Sequence, residues 1–212
     1  IVTIPFKFEM TGKIKQALRG VIEISKHVDA LLVINNQRLI DMYPKLNVTE
    51  GFHMVDNVLT TAAKSIAEII TARGTSNLDF RDVRKILKDG GVAIMSTGYG
   101  EGENRVTKAI QEALNSPLLN NNDIFNSKKI LFAIYENPND PIRIEEMAEV
   151  ETFMAKFRED DIELIWGYSK DLNLEQGSVK VTVLATGFGM KDIPGMEPVI
   201  KEDERIKEQL TL

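Results

Sequence analysis

The 212-residue chain contains no cysteine, which excludes disulfides and thiolate metal centres. It has two histidines, His27 and His53, too few for a histidine-rich metal site and a poor basis for a Ser-His-Asp hydrolase. Basic residues are in the minority, 26 against 32 acidic ones, for a formal charge of -6 and a pI near 5.1. That balance argues against nucleic acid or an anionic membrane as the main partner, because both need a basic footprint. No apolar run approaches the ~18 residues that a membrane-spanning helix needs. A G-x-x-x-x-G-K-[ST] phosphate loop is also missing. What is present, 43% hydrophobic, 27% charged and 7% aromatic residues, is the profile of a soluble globular protein with material for one large domain or two small ones.

The chain opens at once on a strand-like run, "IVTIPF", stopped by Pro5. A strand with nothing before it has its sheet neighbours elsewhere, so the chain reads as a piece of a longer one. Its first segment, Ile1 to Ile34, is expected to pair between chains, swap, or be poorly ordered. Apolar spacing predicts a helix over Glu9–Lys26, a buried strand Ala30–Ile34 and a short helix Gln37–Tyr43 closed by Pro44. The clearest element is Thr49–Arg73, where Phe52, Val55, Leu59, Ala62, Ile66, Ile69 and Ile70 form a stripe at i+3/i+4. Strands and helices alternate afterwards: helices Phe80–Lys88, Glu103–Leu114 and Ile142–Phe157, strands Val92–Tyr99, Lys129–Tyr135, Ile162–Tyr168 and Ser178–Ala185. This is an α/β or α+β pattern with about four strands and three helices in its second part. From Gly189 to Leu212 the polar, proline-broken sequence reads as a disordered linker.

Three motifs bear on chemistry. "GYGEGENR", Gly98–Arg105, superficially suggests a phosphate loop, but the G-x-G-x-x-G spacing fails at Glu103. Carboxylates at Glu101 and Glu103 would also repel a phosphate there, and a flexible strand-to-helix turn is the simpler reading. Asp56 borders the apolar stripe one turn after Phe52. It suits either a solvent-facing boundary position or the recognition of guanine, whose two parallel N–H donors one carboxylate can accept beneath a covering ring. In "RGTSNLDFRDVRKIL", Asp79 followed at N3 by Asp82 resembles a capping box. The same two carboxylates, with the Asn77 amide, could instead orient a water molecule. Local sequence favours the cap.

Taken in order, "IVTIPFKFE", "HVDALLVINNQRL", "NLDFRDV" after a long helix, "GENR", "NSPLL" and "VKVTVLATGF" resemble the FtsZ family of bacterial tubulin homologues, over nearly everything from Ile1 to Phe188. The resemblance implies the C-terminal portion of such a protein, lying after the family's glycine-rich GTP-phosphate loop. Residues 1–48 would be the remnant of a nucleotide-binding domain, 49–73 its central helix, 74–188 a GTPase-activating domain with a four-stranded sheet flanked by helices, and 189–212 the linker. In the family, GTP is hydrolysed where subunits stack head to tail, one holding the nucleotide and the next inserting the loop after its central helix.

By that resemblance Asn77, Asp79 and Asp82 are the catalytic candidates, polarising the attacking water over a neighbour's γ-phosphate. Glu9 and Lys13 match residues at the ribose and phosphates, although the family pattern is close to E-G-K-K-R where this chain has "EMTGK". Asn36 matches a residue in a loop at the guanosine, and Phe52 and Asp56 match those that hold guanine. GTP or GDP, with magnesium carried by the nucleotide, would be the parent's ligand, and this fragment alone is expected to bind none and to be inactive. The partners implied are further copies in a filament and cell-division regulators, at a cytoplasmic division site, without direct membrane insertion. The alternative is a non-catalytic folding and interaction module that binds regulators through the groove beside the long helix.

Overall fold

The computed structural model describes residues 1–71, 78–116, 124–157 and 162–202. Its backbone is one six-stranded mixed sheet with helices on both faces. The strands are β1 (Val2–Ile4), β2 (Ala30–Asn35), β3 (Gly91–Glu101), β4 (Lys129–Glu136), β5 (Glu163–Lys170) and β6 (Ser178–Phe188). They lie in the order β1-β2-β3-β6-β4-β5. The helices are α1 (Thr11–Ser25), α2 (Asn36–Met42), α3 (Val48–Thr71), α4 (Phe80–Leu87), α5 (Arg105–Leu114) and α6 (Met147–Met154). The pairs β1/β2, β2/β3 and β4/β5 are parallel, while β6 runs antiparallel to both β3 and β4. Strand β6 is central, and ten of its eleven residues are buried, as a strand covered on both faces requires.

One face carries α1, α5 and α6 over Leu18, Val106, Ala109, Phe132, Phe153, Val181 and Val183. The other carries α3 and α4 over Ala62, Ile69, Val83, Ile86, Met95, Leu131 and Leu184. A smaller cluster, Phe6, Leu39 and Val55, joins the N-terminal half of α3 to α2 and the end of β1. Helix α3 has 24 residues and is about 36 Å long, enough to run diagonally across the sheet. Asn47 starts it: its Oδ1 accepts from the Glu50 amide at 2.9 Å, and Glu50 Oε2 accepts from the Asn47 amide at 2.8 Å.

Three expectations need correcting. The first strands are not left without neighbours: β2 pairs with β1 on one side and, through Ala30–Leu32 on Gly91–Ala93, with β3 on the other. Only the outer side of the three-residue β1 is an open edge there. Residues 189–202 are not a free linker. Ile193, Met196 and Val199 are buried against the α1 face, 196–202 is helical, and Arg19 pairs with Glu202 at 3.1 Å. Three apolar residues spaced three apart are the signal that the polar composition hid. Residues 203–212 lie outside the described residues.

Third, Gly98 and Gly100 belong to β3 rather than to a flexible turn. A Cβ at Gly98 would run into the Ala109 carbonyl and the Ala113 amide, and one at Gly100 into the Arg105 carbonyl. These glycines let α5 lie directly on the strand. Gly102, at φ +67°, is the residue that turns.

Candidate functional site

Two groups of candidate residues emerge, and the fold keeps them apart. The first gathers where β1 ends. Phe6 is fully buried, its ring 4.9 Å from Phe8 and 5.1 Å from Phe52, with Phe8 and Phe52 meeting edge-on at 6.2 Å. This three-ring cluster seats α3 against the β1–α1 connection. Glu9 closes that connection: Oε1 accepts from the Phe6 amide at 3.1 Å and Oε2 pairs with Lys13 Nζ at 3.4 Å. Helix α1 therefore begins at Thr11 and not at Glu9, after Met10 breaks the chain at φ 79°.

Lys7 donates its amide to Gln37 Oε1 at 3.0 Å, tying the start of α2 to the same place. Asn35 caps α2 by accepting from the Gln37 amide at 3.0 Å. Asn36 is then turned inward, 5% exposed, and its Oδ1 has no hydrogen-bond partner among the described residues. Asp56 is exposed one turn beyond Phe52 on α3. Glu9, Lys13, Asn36 and Phe52 are thus brought together, with Asp56 next along the helix. Sequence reasoning missed Phe8 and Gln37; the alternation Phe6, Phe8 was the available signal for the first.

The second group stands at the start of α4. Asp79 Oδ1 accepts from the amides of Arg81 at 2.6 Å and Asp82 at 3.2 Å. In return Asp82 Oδ2 accepts from the Asp79 amide at 2.9 Å. This is a reciprocal capping box, with anions at the positive end of the helix dipole. Asp82 does not simply point outward, since one of its oxygens is turned back onto the cap. Asn77 lies outside the described residues. Leu78 packs on β5 at Gly167, where any Cβ would collide with its side chain.

The Phe52 group therefore stands beside β1 and the Asp79 group over β5, the two outermost strands. Five inter-strand steps make that roughly 24 Å. The path along α3 agrees, since Phe52 to Thr71 alone is about 28 Å of helix.

Between them α3 crosses the sheet on a polar seam. Ser65 Oγ meets Thr97 Oγ1 at 3.4 Å, which meets Thr182 Oγ1 at 3.2 Å. One turn on, Lys180, 4% exposed, reaches Glu68 of α3 at 3.1 Å and Asp171 of the β5–β6 turn at 2.5 Å, with its Nζ 4.3 Å from the Tyr135 ring centre. Burial pulls the Lys180 ammonium down, but the two carboxylates outweigh it and hold it above the usual lysine value. Burial likewise pushes the Asp171 carboxyl up, and the Lys180 bond, the Asn173 amide and the nearby lysine charges together more than reverse that.

A second knot explains "GENR". Arg105, 5% exposed, binds Glu146 through Nε at 2.7 Å and through a terminal nitrogen at 3.1 Å, and Asp140 Oδ2 at 2.9 Å. It anchors α5 to the segment after β4. Neither knot was foreseen: Arg105–Glu146 and Lys180–Glu68 join residues 41 and 112 apart in sequence.

Comparison with known proteins agrees with this architecture. Residues 91–189 match the sequence model described as the FtsZ family, C-terminal domain. The cell division protein FtsZ of Porphyromonas gingivalis is 53% identical over 190 residues, 90% of this chain and 41% of that protein. The chain belongs to the FtsZ family. Cell division protein FtsZ 1 of Pyrococcus horikoshii is 34% identical over 206 residues, 96% of the chain and 54% of that protein. A solved FtsZ dimer of M. jannaschii superposes with a TM-score of 0.76 at 34% identity, covering 88% of this chain and 53% of the other. The chain thus spans about half the length of the FtsZ proteins it matches, and its tubulin-like α/β sheet is theirs.

Proposed function

We infer that the chain is part of a filament-forming GTPase of cell division, contributing to two different nucleotide sites. Glu9, Lys13, Asn36, Phe52 and Asp56 form the base and ribose side of one guanine-nucleotide site. Asn77, Asp79 and Asp82 are presented to the nucleotide of the next copy. The observation that carries this reading is the separation of roughly 24 Å between the two groups. A water-orienting carboxylate must come within about 3 Å of the attacking water, so the groups serve one reaction only across two molecules.

The residues suit a guanine. The buried Asn36 Oδ1 lacks a donor among the described residues, which a purine N–H would supply. The exposed Asp56 carboxylate accepts paired N–H donors, and the exposed Phe52 ring offers a face to the base. The nucleotide supplies the phosphoryl group and carries its magnesium. Asp79 and Asp82 hold the attacking water and take up its developing positive charge. Head-to-tail stacking of copies is a heterologous contact that extends into open filaments, and likeness to a solved FtsZ dimer supports self-association. Division regulators are the further partners. The described residues contain no helix long and apolar enough to cross a membrane.

The test uses full-length P. gingivalis FtsZ in which the carboxylates matching Asp79 and Asp82 are replaced by alanine. Added alone, the present chain should not turn over GTP. Mixed with that partner it should restore turnover, and its Asp82→Ala variant should not. A stable complex by size exclusion without turnover would overturn the reading. It would favour the second one, a non-catalytic interaction module, to which the complete capping box and a cavity of about 280 Å³ between α2, α3 and β3 lend support.

A further inference from the structure

We propose that the Glu68–Lys180–Asp171 seam, with its buried ammonium, positions the start of α4 with Asp79 and Asp82, so that Lys180 and Glu68 are positioning residues for hydrolysis. The inference rests on the activating-loop reading above and adds to it the part of the fold that fixes the loop.

Helix α3 ends at Thr71 and α4 begins at Phe80, and the described residues hold both places. The first anchor is Glu68, within the last turn of α3, held by Lys180 at 3.1 Å. The second anchor is Leu78, seated on Gly167 with no room for a Cβ beneath it. The two anchors share one support. Gly167 lies in β5, Asp171 in the turn that follows it, and Lys180 near the start of β6. Asp171 and Lys180 are joined at 2.5 Å, and the Asp171 amide also donates to the Glu136 carbonyl of β4 at 2.8 Å. The end of α3 and the start of α4 are therefore both referenced to the β5 turn β6 unit.

The chemistry of the seam suits such a role. An apolar contact under α3 would hold over a range of small displacements, whereas a lysine with its ammonium shared between two carboxylates has one good position. The Tyr135 ring under Nζ and the Ser65–Thr97–Thr182 hydroxyls one turn earlier add direction to the same contact. Lys64, on the solvent side of Glu68 at 3.7 Å and largely exposed, lies outside the seam.

The experiment measures two quantities on four variants of the chain: Glu68→Gln, Lys180→Met, Lys180→Arg and Lys64→Gln. The first quantity is hydrogen exchange of the Arg81 and Asp82 amides in the chain alone, which needs no nucleotide. The second is GTP turnover restored to the loop-deficient P. gingivalis FtsZ, resolved into maximal rate and half-saturating chain concentration. Glu68→Gln leaves Lys180 paired with Asp171 and so buries no unbalanced charge. It should speed exchange of both amides about tenfold. It should also lower the maximal rate by about 10- to 100-fold at an unchanged half-saturating concentration.

Lys180→Met should act in the same direction, Lys180→Arg should restore most of both quantities, and Lys64→Gln should change neither. Wild-type exchange and maximal rate in Glu68→Gln would overturn the proposal. So would equal losses in Lys180→Arg and Lys180→Met, which would mark a merely structural charge. If the unmodified chain restores no turnover, the activating-loop reading fails, while the exchange arm still decides whether the seam fixes the loop.

Discussion

Replacing Asp79 by alanine should destabilise the chain by about 2 kcal/mol, and the structure gives the reasons. Asp79 Oδ1 serves the Arg81 and Asp82 amides, two of the four donors that a helix start leaves without an internal partner. Losing an N-cap side chain of this kind costs about 1–2 kcal/mol. Removing an anion from the positive end of the dipole adds about 0.5 kcal/mol at an exposed site. Helix α4 has eight residues, too few to persist without its cap and the burial of Val83 and Ile86.

For a chain of this size 2 kcal/mol corresponds to a fall in melting temperature of about 4–8 °C. Asp82→Asn differs in kind. An asparagine oxygen can still accept from the Asp79 amide, so the melting temperature should move by under about 2 °C. On the proposed function the negative charge offered to a neighbouring subunit is nevertheless gone, and turnover restored in the mixed assay should fall at least tenfold. Thermal melts followed by circular dichroism give the first quantity and phosphate release the second. An Asp79→Ala chain that melts within 1 °C of the parent would refute the capping argument. An Asp82→Asn chain of full activity would refute the catalytic one.

Met10 sits at φ 79°, ψ 144°, a region that side-chain-bearing residues occupy under strain, and is largely exposed. Met10→Gly should therefore raise stability by about 1 kcal/mol in urea unfolding, with no loss of packing. Acid should unfold the chain through its half-buried, ion-paired carboxylates. Arg105 holds Glu146, and Lys180 holds Asp171, below the usual carboxylate range. Their stabilisation is complete above the unfolded values near pH 4 and is lost as pH falls through the folded ones. The urea midpoint should drop below about pH 4, with a shallower drop in Asp171→Asn. Lys180 works in the opposite direction, since its raised value gives stability that is full below the ordinary lysine range and lost above it. An Asp171→Asn chain with the parent's acid profile would show that the seam carries no such linkage.

Most elements were legible because their signals are local. The stripe from Phe52 to Ile70 marked α3, and the strand expected over Ser178–Ala185 is the body of β6. The capping box at Asp79 was readable for the same reason: its partners lie within three residues. What escaped was long-range. Nothing in Ala30–Asn35 announces that it will pair with both β1 and Gly91–Ala93, because a fully buried parallel strand carries no mark of its neighbours. Nothing local to Arg105 or Lys180 marks them as buried, and only the fold brings Glu146, Glu68 and Asp171 to them. In the site, residue types were legible through family resemblance. That Asn36 lies buried with an unpaired oxygen, and that Phe8 completes a ring cluster with Phe52, are facts of packing.

Capping is compatible with the proposed catalytic use of the same two carboxylates. The cap occupies Asp79 Oδ1 and Asp82 Oδ2, which fixes both side chains by hydrogen bonds from rigid backbone amides. A group that must meet a water molecule on another subunit gains from being fixed beforehand, since no ordering remains to be done at the encounter. The N-terminus of α4 also favours negative charge there before any nucleotide arrives. On this view the capping box is the preorganising part of the loop. Asp79→Ala and Asp82→Asn should then lose turnover for different reasons. The first removes a carboxylate and loosens the start of α4 as well, so its fall in maximal rate comes with a fall in melting temperature. The second leaves the loop in place without its charge, and no concentration recovers the rate.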